Sequence, residues 1–252
     1  MELIALILSS LVIMTASLVG VLFTLKHLGN WTENNIRYLI AFASGVFLIV
    51  AYHLVFEAIE FGKENVFVWI AIILGFLFFF ALERLYPEAH CHHGDQKCMT
   101  ENNKKGARKI LFGDAFHNIG DGILLAPVFV ADIKLGIVTA FGILVHEVVQ
   151  EISEFFVLKN AGYSTKKALS LNFLVSGTIL IGAIGGYYLS SFTYLVGPLI
   201  GFAAGAFVHI LLVDLIPESI KHSHKEKKYF NYISWALFGI LLILSINFLT
   251  GH

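Results

Sequence analysis

The chain has 252 residues, of which 57% are hydrophobic and 14% are charged, and its formal net charge is −1. Soluble globular domains are about 45–50% apolar and about 25% charged, so this composition excludes an ordinary soluble enzyme and a disordered chain. A near-neutral chain also has no general attraction for nucleic acid. The two cysteines, Cys91 and Cys98, are too few for a disulfide framework. The composition predicts an all-α, polytopic membrane protein.

Eight apolar stretches, each long enough to cross a bilayer as a helix, follow one another along the chain. They occupy residues 3–25, 37–59, 65–86, 108–131, 134–159, 166–190, 194–217 and 229–249. We therefore expect a single transmembrane domain over residues 1–252, folded as an eight-helix bundle. Its longest polar connection, at about 87–107, contains His90, Cys91, His92, His93 and Cys98. These side chains offer a loose metal site for sensing or delivery, with a solvated tether as the alternative.

The basic residues are distributed very unevenly between the connections. Of the 17 Lys and Arg residues, 15 lie near the connections that follow the first, third, fifth and seventh segments, and only Lys63 and Lys134 lie on the other side. We call the side with the 15 residues the basic end. Because basic connections stay in the cytoplasm, the basic end is predicted to be cytoplasmic and both termini extracytoplasmic. We expect a multi-pass protein of a plasma or inner membrane, of prokaryotic type.

Two polar clusters interrupt the fourth and fifth segments, which must be antiparallel neighbours. The fourth reads GDAFHNIGDG from Gly113, and the fifth reads HEVVQEISEF from His146. Ionisable side chains in mid-span are costly and mark a site or a pathway by default. A hydrogen-bond network between helices is the structural alternative, but such pairs contribute only about 0.6–2 kcal/mol and do not require histidines and carboxylates at matched spacing.

The spacing within these clusters predicts a metal site. His117 and Asp121 are four residues apart, as are His146 and Gln150, so each pair shares one helix face. We expect these four side chains to hold one cation. A second site beside it would use the residue that follows each histidine, Asn118 and Glu147, together with Glu151 one turn after Glu147. Asp114 and Glu154, one turn further out, are relay groups or solvated ends.

The donor types narrow the choice of ion. Imidazole with carboxylate and amide oxygen suits Zn²⁺, with Fe²⁺, Mn²⁺ and Cd²⁺ as alternatives. The motifs contain no Cys or Met, which argues against Cu⁺, and their histidines argue against Mg²⁺ and Ca²⁺.

These motifs resemble those of the ZIP family of divalent-metal transporters. The match is His117-Asn118-x-x-Asp121-Gly122 with His146-Glu147-x-x-Gln150-Glu151. The resemblance implies import of zinc or a similar ion into the cytoplasm by alternating access. It implies a primary metal on His117, Asp121, His146 and Gln150, and a second on Asn118 and Glu147 with help from Gln150 or Glu151. The chain departs from many members at Val149, where they have proline, and at Gln150, where they often have His or Glu.

A weaker pattern relates the second and seventh segments. Counted from Ser44 and from Gly205, polar residues follow nine and thirteen positions later, as His53 and Glu57 and as Asp214 and Glu218. This predicts an inverted repeat of segments 1–3 and 6–8 around segments 4 and 5. The four residues would be stations at the entrance and exit of the pathway, with interfacial anchoring as the alternative. His209 is interpreted as a hydrogen-bonded residue of the bundle.

Three alternatives to metal import are a zinc hydrolase, a metal exporter and a metal sensor. His146-Glu147-x-x resembles the start of the His-Glu-x-x-His motif of zinc hydrolases, but Gln150 stands where the second His belongs. An exporter of another fold and a non-transporting metal sensor are further alternatives. We expect a transporter rather than an enzyme, whose partners are divalent metal ions and the lipid membrane, with no nucleic acid and with a homodimer left open.

Overall fold

A computed structural model describes residues 1–24, 26–63, 65–85 and 104–250. All regular elements in these ranges are helical. In chain order they are α1 (Glu2–Met14), a 3₁₀ helix (Thr15–Thr24), α2 (Lys26–Gly62), α3 (Val66–Leu85), α4 (Lys104–Ala131), α5 (Ile133–Asn160), α6 (Thr165–Ser176), α7 (Ile179–Ser190), α8 (Thr193–His209), a π-helical turn (Ile210–Leu215), α9 (Ile216–Glu226) and α10 (Tyr229–Thr250). The predicted His/Cys metal site of His90, Cys91, His92, His93 and Cys98 lies outside the described residues.

These helices coincide with the eight predicted segments, since α6 with α7 and α8 with α9 each form one crossing. Six spans in the described part of the chain are long and apolar enough to cross a membrane, and Val66–Ala81 is a shorter apolar helix. The remaining crossing, α4, is less hydropathic because it contains the polar motif. The prediction of an all-α polytopic membrane protein is confirmed.

A sharp turn joins α4 to α5 and makes them antiparallel. Asp132 alone separates the two helices, and its carboxylate accepts a hydrogen bond of 2.7 Å from the Leu135 amide, which caps α5. The helix then continues without interruption through Val149 to Asn160. A valine keeps the backbone N–H that a proline would remove, so no kink arises at this motif position.

Glycines allow close contact between helices at two equivalent places, which the predicted inverted repeat would relate to each other. α10 packs on α2 through Gly45 and Gly239, and α3 packs on α8 through Gly205 and Gly75. A Cβ on Gly45 or Gly205 would lie 2.0 Å from a carbonyl oxygen of the facing helix. Phe47 and Phe207, each two residues after its glycine, stack with ring centroids 5.1 Å apart. This symmetry supports the predicted inverted repeat.

The packing corrects the register of that repeat. Gly45, not Ser44, occupies the position equivalent to Gly205. His53 then follows its glycine by eight residues, whereas Asp214 follows by nine. The π-helical turn at Ile210–Leu215 accounts for the difference, because such a turn accommodates one extra residue in a helix.

Two of the connections predicted to share the basic end meet in the fold. Arg37, near the start of the apolar part of α2, donates a hydrogen bond to Glu226 at the end of α9. α9 reaches nine residues beyond the predicted limit of 217, so the run Lys221–Lys225 is helical. Pro217 permits this because it lies in the first turn of α9, where no backbone donor is needed.

Candidate metal centre

Two histidines and a glutamate meet where α4 faces α5. One donor atom from each of His117, His146 and Glu147 lies within 4.8 Å of the others. The His117 Nε2 atom is 3.5 Å from Glu147 Oε1 and 3.7 Å from Asp121 Oδ2. Two donors that bind one zinc ion at about 2.1 Å lie at most about 4.2 Å apart, so the distances of 3.5 and 3.7 Å from His117 Nε2 fit a shared ion. We call these four side chains the histidine cluster.

The histidine cluster is buried inside the bundle. The side chains of His117, Asp121 and Glu147 are 7%, 3% and 0% exposed. Phe47 of α2 packs against the His146 ring, with centroids 5.5 Å apart. One side of the histidine cluster is therefore lined by α2.

Carboxyl groups are unusually dense around this site. Five are at most 2% exposed, and in the described residues none pairs with a lysine or arginine: Asp114, Asp121, Glu147, Glu151 and Glu154. Neither oxygen of Glu147 accepts a hydrogen bond there. Burying a carboxylate away from water is costly unless a cation compensates its charge. A bound metal cation would supply that charge.

The structure separates two residues that the sequence analysis assigned to one ion. The Gln150 amide Nε2 donates a hydrogen bond to Asp114 Oδ1 at 2.7 Å. The reason is the antiparallel packing of α4 and α5. Asp121 lies one turn from His117 toward one end of the bundle, and Gln150 lies one turn from His146 toward the other, about 6 Å along the axis in each case. Glu147 is the residue of α5 whose carboxylate lies close to both imidazoles.

The other two residues of the expected second site also have distinct surroundings. Asn118 donates to Asp114 Oδ1 at 2.9 Å and is fully buried. Glu151 is buried, and its backbone carbonyl accepts a hydrogen bond of 3.3 Å from Asn172 of α6. A second site on Asn118, Glu147 and Glu151 stays a prediction.

The four pathway candidates lie apart from the histidine cluster. The His53 ring accepts a hydrogen bond of 2.7 Å from Asn247 of α10, and Glu57 is half-buried one turn further. Asp214 lies in the π-helical turn and is half-buried. Glu218 contacts His222 Nε2 at 2.8 Å.

His209 has an aromatic environment, as expected of a bundle residue. Its ring lies 5.2 Å from Phe76 and 6.2 Å from Phe80, measured between centroids.

Sequence reasoning gave no role to the residues of α6 that face the site. Asn172 and Ser176 are fully buried and four residues apart, so they share one face. The spacing is present in the sequence, but uncharged polar residues are common in apolar helices and do not by themselves indicate a site.

Known proteins with similar sequences identify the family of this chain. The family model described as ZIP Zinc transporter matches residues 91–247, which is more than half of the chain. This chain belongs to the ZIP zinc transporter family. Both polar motifs of this ZIP chain, on α4 and α5, lie inside the matched range.

Three curated relatives show how far the similarity extends. Zinc transporter ZIP10 of Danio rerio is 32% identical over 161 residues, which is 60% of this chain and 19% of the relative. The uncharacterized zinc transporter P8A3.03 of Schizosaccharomyces pombe is 31% identical over 174 residues, covering 65% and 38%. The zinc transporter ZIP13 homolog of Drosophila melanogaster is 26% identical over 171 residues, covering 64% and 48%. This ZIP chain therefore spans less than half the length of each.

Proposed function

We propose that this protein carries a divalent metal cation, zinc first, across a membrane into the cytoplasm. The observation that supports the proposal is the histidine cluster, in which buried imidazoles and carboxylates meet with no lysine or arginine of the described residues to balance them. Buried carboxylates need a cation to compensate their negative charge, and a transported metal ion would provide it while it is bound. Family membership and relatives named as zinc transporters point to the same cargo.

The donors of the histidine cluster favour some ions over others. Two imidazoles with carboxylate oxygens suit Zn²⁺ and, less specifically, Fe²⁺, Mn²⁺ and Cd²⁺. The cluster lacks the thiolate or thioether that Cu⁺ prefers. With Glu147 in place of Gln150, the four donors carry two anionic groups, which strengthens binding compared with the set expected from sequence.

The ion's path is proposed to run along the axis of the bundle from the end near Glu57 to the basic end. His53 and Glu57 would receive the ion, and Asp214 and Glu218 would release it into the cytoplasm. Alternating access requires the halves to move against one another. The glycines at the contacts of α2 with α10 and of α3 with α8 let the backbones approach closely, and we propose that the halves move at these contacts.

Hydrolysis is not favoured by the geometry. A catalytic zinc site needs three firm protein ligands with an open position. Gln150, at the position of the second histidine in the hydrolase motif, points to Asp114 and Glu154. We therefore infer a transporter and not an enzyme. A homodimer and a plasma or inner membrane location remain predictions.

Uptake of Zn²⁺ into proteoliposomes that contain only this protein tests the proposal. His146→Ala and Asp121→Ala should each lower the uptake rate at least about tenfold, because each removes a donor to the ion. Glu60→Gln is the matched control, since Glu60 is exposed and pairs only locally with Lys63. Wild-type uptake by both cluster variants, with normal amounts of protein in the vesicles, would remove the site assignment. Absence of uptake by the wild type would remove the function.

A further inference from the structure

The turn that joins α9 to α10 carries a dense group of lysines at the basic end. Residues 221–228 include Lys221, Lys225, Lys227 and Lys228, with Glu226 as the one acidic residue among them. All four lysines are exposed. Lys227 ends α9 in the left-handed conformation, with φ 55° and ψ 32°, so the chain turns there before α10 begins. We call Lys225, Lys227 and Lys228 the lysine group.

The lysine group keeps a surplus of positive charge. Glu226 forms an ion pair with Arg37 of α2, and its other carboxylate oxygen lies 3.7 Å from Lys228 Nζ. In the part of the chain that the structure describes, no acidic side chain forms an ion pair with Lys225 or Lys227. One carboxylate therefore stands against four cationic side chains, and the turn can accept an anion.

The helix that follows fixes the depth of the lysine group in the membrane. α10 is apolar along its length, and only 17% of its spanning window is buried by the rest of the chain. Phe230, Ile233 and Leu237 share one face of this helix and are 80%, 58% and 51% exposed. Such a face borders lipid, so α10 enters the hydrocarbon at its first turn, directly after Lys228.

Aromatic side chains mark the same level. Tyr38 of α2 stacks on Trp235 of α10 with 6.3 Å between ring centroids, and the Tyr232 ring lies 5.1 Å from that of Tyr38. Tyrosine and tryptophan are enriched where lipid headgroups meet hydrocarbon. The lysine group therefore lies at the height of the headgroups, next to apolar side chains that reach the acyl chains.

We propose that the lysine group binds the phosphate of an anionic phospholipid in the leaflet at the basic end, with Phe230 and Ile233 against the acyl chains. Each lysine near an anionic membrane surface favours binding about fivefold. A soluble phosphate offers the same charge but nothing for the exposed apolar side chains to contact, so the occupant is a lipid. The inference goes beyond metal transport and does not depend on it.

Fluorescence quenching by brominated lipids tests this proposal locally. Trp31→Phe with Trp69→Phe leaves Trp235, which lies about two turns along α10, as the one tryptophan of the chain. The protein is placed in bilayers of equal parts phosphatidylglycerol and phosphatidylcholine, with bromine on the acyl chains of one lipid or the other. Bromine on phosphatidylglycerol should quench Trp235 as if that lipid were enriched at least about fivefold.

The triple variant Lys225→Gln/Lys227→Gln/Lys228→Gln, in the same background, should be quenched equally by the two brominated lipids. Because these lysines are exposed, the triple variant should keep the midpoint of thermal unfolding that the unsubstituted protein has in detergent. That measurement separates loss of lipid binding from loss of folding.

The opposite end of the bundle supplies matched controls. Trp69 is 45% exposed, and Lys63 nearby is balanced by Glu60 at 2.5 Å. A variant that keeps only Trp69 should be quenched equally by both lipids. Lys63→Gln with Lys134→Gln removes two lysines from that end and should leave the quenching of Trp235 unchanged.

Three results would overturn the proposal. The first is equal quenching of Trp235 by the two brominated lipids while the lysine group is intact. The second is a preference for phosphatidylglycerol that survives the triple substitution, since it would then come from other basic residues. The third is loss of the preference when glycerol phosphate is added at constant ionic strength, which would assign the site to a free phosphate.

Discussion

The contact between α3 and α8 predicts a steric effect whose size follows from the structure. In Gly205→Ala, the new Cβ would lie 2.0 Å from the carbonyl oxygen of Ile72. A carbon and a carbonyl oxygen approach to about 3.3 Å at closest, so the helices must separate by about 1.3 Å. Neither atom belongs to a flexible side chain. Overpacking of this kind costs about 1–3 kcal/mol, which for a chain of this size lowers the midpoint of thermal unfolding by about 2–12 °C.

The assay is thermal unfolding of the purified protein in detergent. Gly185→Ala is the matched control, because a Cβ there meets nothing within 4 Å. Alanine is the better helix former by about 0.5–1 kcal/mol, so this control should be unchanged or slightly stabilised. Gly45→Ala should resemble Gly205→Ala, since its Cβ would also lie 2.0 Å from a carbonyl oxygen. An unchanged midpoint in Gly205→Ala, or an equal fall in Gly185→Ala, would refute the reasoning.

Two further predictions concern transport. Lowering the pH from about 8 to about 5.5 should slow Zn²⁺ uptake, because the imidazole and carboxylate ligands must be deprotonated to bind; uptake rates that do not change across this range would contradict it. Deletion of residues 90–98 should leave substantial Zn²⁺ uptake, since the proposed ligands on α4 and α5 remain. The assay compares ⁶⁵Zn²⁺ uptake by the deletion variant and by the full chain, and complete loss of uptake in the variant would contradict the prediction.

The crossings of the bundle were predictable because the bilayer imposes a simple rule on composition. A span needs about 20 apolar residues, and connections are polar. Each predicted segment therefore overlaps a helix, and even α4, the least apolar crossing, was recognised despite Asp114, His117 and Asp121. The predicted end of the seventh segment was less accurate. The part of α9 beyond residue 217 is polar, so hydropathy does not indicate that it is helical.

Packing between helices was predictable only in part. The repeat was visible as matched polar residues, but its register was displaced by one position. A π-helical turn adds a residue without changing the hydrophobic pattern, so only the contacts of Gly45 and Gly205 reveal the equivalence.

The sequence by itself determined the membrane-spanning helical architecture, the residue types of the candidate metal centre and the two helices that carry them. Spacing of four along a helix places His117 with Asp121, and His146 with Gln150, on shared faces. Only the tertiary structure decided how those faces meet. Because α4 and α5 run in opposite directions, the pairs diverge, Glu147 joins the histidines, and Gln150 turns to Asp114. One-dimensional spacing fixes neighbours within a helix, whereas the direction and axial offset of two packed helices fix which donors can share an ion.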